Sequence, residues 1–252
     1  MNILVMLKQT FDTEEKIVIQ NGSICEDGVN FIINPYDEYA IEEAIKLRDE
    51  HGGEVTVITA GPERAENALR TALAMGTDKA VLIESDDLDE YGTAKILAAA
   101  IKKREFDIIL CGNVAVDYGS GQIGPRLAEE LDIAQATTIT KLDIEGNNAI
   151  IERDVEGDKE VIQVPLPVLI TAQQGLNEPR YPSLPGIMKA KKKPIEHLEP
   201  EDLDVDEDIE VKTVVTETFF PQKKKAGRIL NGDIKDQVSE LAALLRSEAK
   251  VI

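Results

Sequence analysis

Short apolar runs alternate with longer stretches of helical spacing through the first half of the chain. Residues 2–7 (NILVML) read as a strand buried on both faces, with Lys8 at its carboxyl end. Polar and β-branched residues follow from Phe11 to Asp27, where Asn21-Gly22 predicts a hairpin turn. Residues 31–34 predict another strand, closed by Pro35. Asp37 is expected to cap a helix over residues 38–50, whose Ala40, Ile41, Ala44, Ile45 and Leu47 recur on one face. Residues 54–60 and 80–83 predict strands, and 63–75 and 91–104 helices. Residues 108–110 then run as a strand toward a helix beginning at Gln122. This βαβα rhythm with short connections predicts an α/β fold with a mostly parallel, Rossmann-like sheet and right-handed crossovers.

Beyond Ile133 the period changes. ATTITKLDIEG, NNAIIERDVEG, KEVIQV and PVLITA alternate or run apolar between turn signals, a β-rich segment from which residues 168–171 are candidates to rejoin the main sheet. Pro179, Pro182 and Pro185 in NEPRYPSLPG are expected to forbid a regular helix. Residues 194–222, acidic and then β-branched, read as linker and arm. Residues 231–248 predict an amphipathic helix with Leu241, Leu244 and Leu245 on one face, packed on its own domain or on a partner chain. The expected organisation is a core over residues 1–193 and a C-terminal arm and helix over 194–252.

Composition narrows the classes. Among 252 residues, 42% apolar content is ample for a sizeable core. There is no run of eighteen apolar residues and no signal-peptide pattern over residues 1–8, so a cytoplasmic protein without membrane insertion is expected. Cys25 and Cys111 form no CxxC pair, and His51 and His197 are too few for a His-rich metal site. A formal charge of −20 argues against nucleic-acid binding. Lys189, Lys191, Lys192 and Lys193, echoed by Lys223, Lys224 and Lys225, stand out in this acidic chain. They read either as a solvated loop or as a patch that docks on an acidic protein surface.

The candidate chemistry lies in FDIILCGNVAVDYGSGQIGPRLAEELD, residues 106–132. Strands ending near Leu7, Asn34, Ala60 and Gly112 would gather those residues at one sheet edge. The predicted pocket is lined by Lys8, Asn34, Ala60, Gly61 and the turn over residues 117–122. Asp117 and Tyr118 occupy the turn, and Gly119, Ser120 and Gly121 let backbone approach a ligand. Glycines at 112, 119, 121 and 124 fit no GxGxxG, and no Lys follows Gly121 as in a P-loop. The turn therefore reads as an ordinary strand-to-helix connection or as an anion cradle to which Ser120 and Gln122 add donors. No Ser-His-Asp or Cys-His set and no catalytic pair of carboxylates accompanies it, which points to binding without turnover.

IINPYDEYAIEEA, TALAMGTDKA, IERDVEGDKEVIQVPLPVLITA and LNEPRYPSLPGIMKAKKK resemble the β subunit of electron transfer flavoproteins over nearly the whole chain. The resemblance implies an adenine-nucleotide-binding core that carries AMP as a structural ligand, beside an α subunit that holds the redox FAD. It implies an AMP site formed by Asn34, Ala60 and the turn from Asp117 through Gly119, Ser120 and Gly121 to Gln122, with Ser120 and Gln122 near the phosphate, and places Tyr36 near the flavin; Met6, Lys8 and Gly61 complete the candidate nucleotide contacts. It also implies a docking loop over residues 176–193 for acyl-CoA dehydrogenases, with Leu184 as apolar anchor and Lys189 and Lys192 as basic contacts. Electrons would pass on to a quinone oxidoreductase of the respiratory chain. Some relatives instead hold a second FAD in the β site and oxidise NADH, splitting its electrons. A nucleotide-sensing module or a nucleotide-hydrolysing enzyme of similar fold is the third reading, disfavoured by the missing catalytic base and metal ligands.

Overall fold

The structure is a computed structural model that describes the whole chain except residues 86–87, 204, 206–208, 210 and 224–226. Lys224 and Lys225 of the second basic run lie outside the described residues. The chain divides into two compact units: Met1–Val18 with Cys25–Thr216, and Ile19–Ile24 with Glu217–Ile252.

The strands, in chain order, are β1 (Asn2–Met6), β2 (Gln9–Phe11), β3 (Ile19–Gln20), β4 (Ser23–Ile24), β5 (Phe31–Ile33), β6 (Glu54–Gly61), β7 (Lys79–Glu84), β8 (Ile108–Gly112), β9 (Ala134–Glu145), β10 (Asn148–Val155), β11 (Asp158–Pro165), β12 (Val168–Ala172) and β13 (Glu196–Leu198). The α-helices are α1 (Pro35–His51), α2 (Glu66–Met75), α3 (Glu90–Lys102), α4 (Ile123–Leu131), α5 (Leu184–Ala190) and α6 (Ile234–Leu244). In the larger unit a nine-stranded sheet runs β11-β10-β9-β12-β8-β1-β6-β7-β13. Its ladders are parallel from β9 to β13, and the antiparallel β9-β10-β11 meander forms the other edge.

Strand alternation sorts the core into two layers. Ile3, Val5 and Leu7 join Val55 and Val57 beneath α1 and α2, whereas Leu4 and Met6 join Ile58, Val81 and Ile109 beneath α3 and α4. Because β6 and β7 lie on one side of β1 and β8 on the other, the strand order reverses between β1 and β8. The carboxyl ends of these two strands are the crevice where open α/β sheets take ligands.

Several expectations need correction. Residues 31–34 do not enter the main sheet: β5 pairs antiparallel with β2 in a separate two-stranded sheet. Helix α1 begins at Pro35, a residue already suited to the first turn, so Asp37 lies inside the helix and Asn34 takes the N-cap position. A 3₁₀ turn, Glu63–Ala65, precedes α2. Helix α5 forms despite Pro185, which stands in the first turn where no intrahelical N–H is required, and Ser183 caps it by accepting from the Gly186 N–H at 3.1 Å. Residues 196–198, read as linker, form the edge strand β13 beside β7.

In the smaller unit β3 and β4 form a hairpin whose Asn21 and Gly22 both have positive φ, 52° and 80°, as a two-residue primed turn requires. The Thr218 N–H donates to the Gly22 carbonyl at 3.1 Å. Helix α6, shorter than expected, is capped by Asp233, whose carboxylate accepts the Asp236 N–H at 3.0 Å, and a π-helical turn over Leu245–Ala249 follows it.

Candidate functional site

Asn34 and Asp37, at the start of α1, organise the crevice. Asn34 is buried: its amide donates to the Val114 carbonyl at 2.9 Å, and its Oδ1 accepts the Val116 N–H at 3.1 Å. It therefore braces the loop leaving β8. Asp37, also buried, accepts the Lys8 N–H on Oδ2 at 2.7 Å and the Gly112 N–H on Oδ1 at 2.8 Å. Desolvation pushes its carboxyl up to about 7, against the pull of those two N–H groups, the nearby Asn34 side chain and the Lys8 charge. Burial, and secondarily Asp37, also pushes the Cys111 thiol up, so it remains a core thiol.

Lys8, just past β1, turns its ammonium to Asp117 at 2.7 Å and over the Tyr118 ring at 4.7 Å. The Gly119 N–H donates to the Ala115 carbonyl at 2.8 Å, and Gly119 and Gly121 hold φ of 68° and 63°, where a side chain is strained. A Cβ on Gly119 would meet nothing within 4 Å, so this backbone faces open space. Among the described residues, the N–H groups of Ser120, Gly121, Gln122 and Ile123 have no protein acceptor. They sit where the α4 dipole is positive, and α4 comes close to the sheet because Gly124 leaves no Cβ to meet Thr171, which would lie at 2.8 Å. Free N–H groups, open space and left-handed glycines fit a phosphate or another small anion.

Lys8, Asn34 and the 117–122 turn thus gather at one place, while Ala60 and Gly61 end the neighbouring strand β6. Met6 differs: its side chain is buried in the α3/α4 layer, which leaves only its backbone facing the crevice. The Gln122 amide oxygen accepts from the Arg126 guanidinium at 3.0 and 2.7 Å. Tyr36 is half-buried in the first turn of α1, against the seat of Gly112. Sequence reasoning missed the bridging role of Asp37. Pro35 was the available signal, since a proline at the first helical position puts Asp37 too deep to cap.

A second cluster surrounds α5. Leu184 is 80% exposed and Tyr181 is 94% exposed, with Met188, Lys189, Lys191 and Lys192 also exposed beside them. Two buried carboxylates hold the approach: Glu42 accepts the Arg180 guanidinium at 2.7 and 2.9 Å, and Glu43 accepts the Asn177 amide at 2.8 Å. On the far side Arg70 donates to the Ala190 and Lys193 carbonyls, and Lys193 donates to the Thr77 carbonyl at 2.6 Å. One lysine of the basic run is therefore committed to structure. No group of metal-ligating side chains and no helix long and apolar enough to cross a membrane occurs among the described residues.

Residues 21–203 match the family described as electron transfer flavoprotein domain. The chain is 63% identical to the electron transfer flavoprotein subunit beta of Bacillus subtilis (strain 168), over 100% of both chains. It belongs to the electron transfer flavoprotein β-subunit family. It is also 46% identical to the subunit of that name from Thermoanaerobacterium thermosaccharolyticum, over 98% of each chain. A caffeyl-CoA reductase-Etf complex subunit, CarD, of Acetobacterium woodii is 38% identical over 99% of this chain and 98% of its own. Membership in the electron transfer flavoprotein family gives this chain an electron-transfer role as one subunit of a complex.

Proposed function

We propose that this β subunit binds AMP as a structural ligand, completes the surroundings of an FAD held by its α subunit, and docks acyl-CoA dehydrogenases whose electrons pass to a quinone oxidoreductase of the respiratory chain. The observation that carries the nucleotide part is the crevice at β1 and β8, where, among the described residues, the N–H groups of residues 120–123 have no protein acceptor, next to the open flank of Gly119 and the Lys8–Asp117 pair. There the N–H groups of Ser120 to Ile123 hold the phosphate, Lys8 and Asp117 border it, and Asn34 keeps the loop in place. FAD, when bound in the complex, supplies the redox chemistry; this chain binds, orients and excludes water. Met6, Ala60 and Gly61 contribute at the ends of β1 and β6, and Tyr36 faces the flavin side.

Absorbance of the purified complex and mass spectrometry of the ligand released on denaturation test this reading. One flavin and one AMP per complex is the expected result. Two flavins without AMP favour the FAD-bearing, NADH-oxidising reading, and no nucleotide sinks both. Gly121→Val gives a residue-level check. A β-branched side chain at φ 63°, with its Cβ 3.4 Å from the Asn113 carbonyl, costs about 1–2 kcal/mol. Nucleotide affinity should fall about tenfold. Full AMP retention in that variant would show that the phosphate rests elsewhere.

A further inference from the structure

The ladder between β1 and β8 ends at Val5 opposite Leu110. Beyond that point, where the strands lead toward the crevice, the two oxygens of Asp37 take over: one accepts the N–H of Lys8, the other the N–H of Gly112. The seat is tight. A Cβ on Gly112 would lie 2.4 Å from Asp37 Oδ1 and 2.7 Å from the Tyr36 Cβ, so the strand end and the carboxylate fit only with glycine there.

Everything the proposed phosphate site uses leads away from these two N–H groups. From Lys8 the side chain reaches Asp117, while the Lys8 carbonyl accepts the Asn34 N–H at 2.9 Å. From Gly112 the chain continues into residues 113–116, held by Asn34, and on to the glycine turn. We infer that Asp37 is a positioning residue for nucleotide binding, its carboxylate holding the ends of β1 and β8 at the spacing at which Lys8 and the 117–122 turn converge on a phosphate. This rests on the nucleotide reading above.

The clamp is the ionised form. Two N–H donors aimed at two carboxylate oxygens satisfy both, whereas a protonated carboxyl turns one oxygen into a donor and weakens that bond. The groups facing Asp37 are the Lys8 ammonium from the end of β1, the Cys111 thiol of β8, and the Asn34 side chain and Tyr36 of its own helix start; Asp117 acts through Lys8. With the carboxyl pushed up to about 7, the clamp loosens as pH falls from 8 to 6.

The test uses the full chain co-purified with its α subunit, AMP as probe, and amide hydrogen exchange as a second readout. Asp37→Asn keeps the size and one acceptor but sets an amide N–H₂ against an N–H donor. At pH 8 the wild-type complex should bind AMP, and the variant about tenfold more weakly. The Lys8 and Gly112 amides should lose protection in the variant while those of β6 and β7 keep theirs. Without AMP, and so without its phosphate titrating, those two wild-type amides should lose protection between pH 8 and pH 6, and the variant should show no such change. Wild-type AMP affinity in the variant, or unaltered protection of both amides, overturns the role of Asp37 and leaves the nucleotide site standing. Absence of AMP binding by the wild type at pH 8 overturns both. Where the variant does not fold, the wild-type profile decides, and constant protection from pH 8 to pH 6 overturns the inference.

Discussion

Asp37 shows how one side chain sets site order and stability against each other. Its carboxyl, ordinarily at 3.8, is pushed up to about 7 in the fold, so between those values the native state keeps a proton that the unfolded chain has lost. The contribution to stability is therefore complete below about pH 4 and is lost as pH rises through 7, with a slope of at most about 1.4 kcal/mol per pH unit. Asp37→Asn removes that slope. Urea unfolding from pH 5 to pH 8 should show the variant losing most relative to wild type near pH 5 and least near pH 8; parallel curves would refute the assignment. Site order runs the other way, since the charged carboxylate is the better acceptor for Lys8 and Gly112. Functional positioning is thus obtained where the fold is taxed by a buried charge. At this scale the sequence was partly legible. Gly119, Gly121 and Ser120 announce a turn open to an anion because only certain residues tolerate such backbone. The side-chain partners of Asn34 and Asp37, 29 to 82 residues away, leave no local pattern.

Among elements, those with a strong period were readable: β1, α1, β6, α2, β7, α3, β8 and α4 each bury a face, or both faces, of a layered core. Strand β13 is only three residues long, Glu196–Leu198, too short for any period, and its pairing with β7 is a tertiary choice. Helix α5 was hidden by Pro185, which its first turn tolerates, and by Pro179 and Pro182 ahead of its Ser183 cap. Its segment is held in place by Glu42 on Arg180, by Arg70 on Ala190 and Lys193, and by a close approach to α2. A Cβ on Gly186 would lie 2.4 Å from the Ala74 carbonyl oxygen. Two variants separate presentation from contact. Leu184→Ala removes an exposed side chain, so the melting temperature should hold. If Leu184 anchors a dehydrogenase, docking should weaken about ten- to a hundredfold, because burying a leucine is worth about 1.5–3 kcal/mol. Gly186→Ala keeps Leu184 but must lift α5 from α2, at a cost of about 1–3 kcal/mol, and should lower both the melting temperature and docking. A lower melting temperature in Leu184→Ala with unchanged dehydrogenase-coupled flavin reduction would remove Leu184 from the docking surface.

On the scale of the molecule, the two apolar layers lie wholly within the larger unit, whereas the smaller unit carries its apolar side chains outward. Phe219, Ile229 and Ile234 are 73%, 85% and 80% exposed, and Phe220, Val238 and Leu241 are exposed as well. Scattered surface leucines and valines need no cause, but an arm and a helix that both turn apolar residues outward resemble half of an interface. We propose that the α subunit of the complex covers these exposed apolar side chains of the arm and α6. Lys212 and Thr213 belong to the larger unit: their N–H groups donate to the Asp89 carboxylate at 2.7 and 2.8 Å, a few residues before its boundary at Thr216. A chain ending at Thr216 should therefore keep the nine-stranded sheet, the crevice and AMP, with near wild-type far-ultraviolet dichroism and cooperative unfolding. It should fail to co-purify with the α subunit and lose the flavin of the complex. Raising the salt should not rescue assembly of the shortened chain, because the missing contribution is apolar area rather than charge. If the shortened chain still co-purifies with flavin at unchanged stoichiometry, the arm and α6 are dispensable for assembly, and the interface must be sought on the larger unit instead.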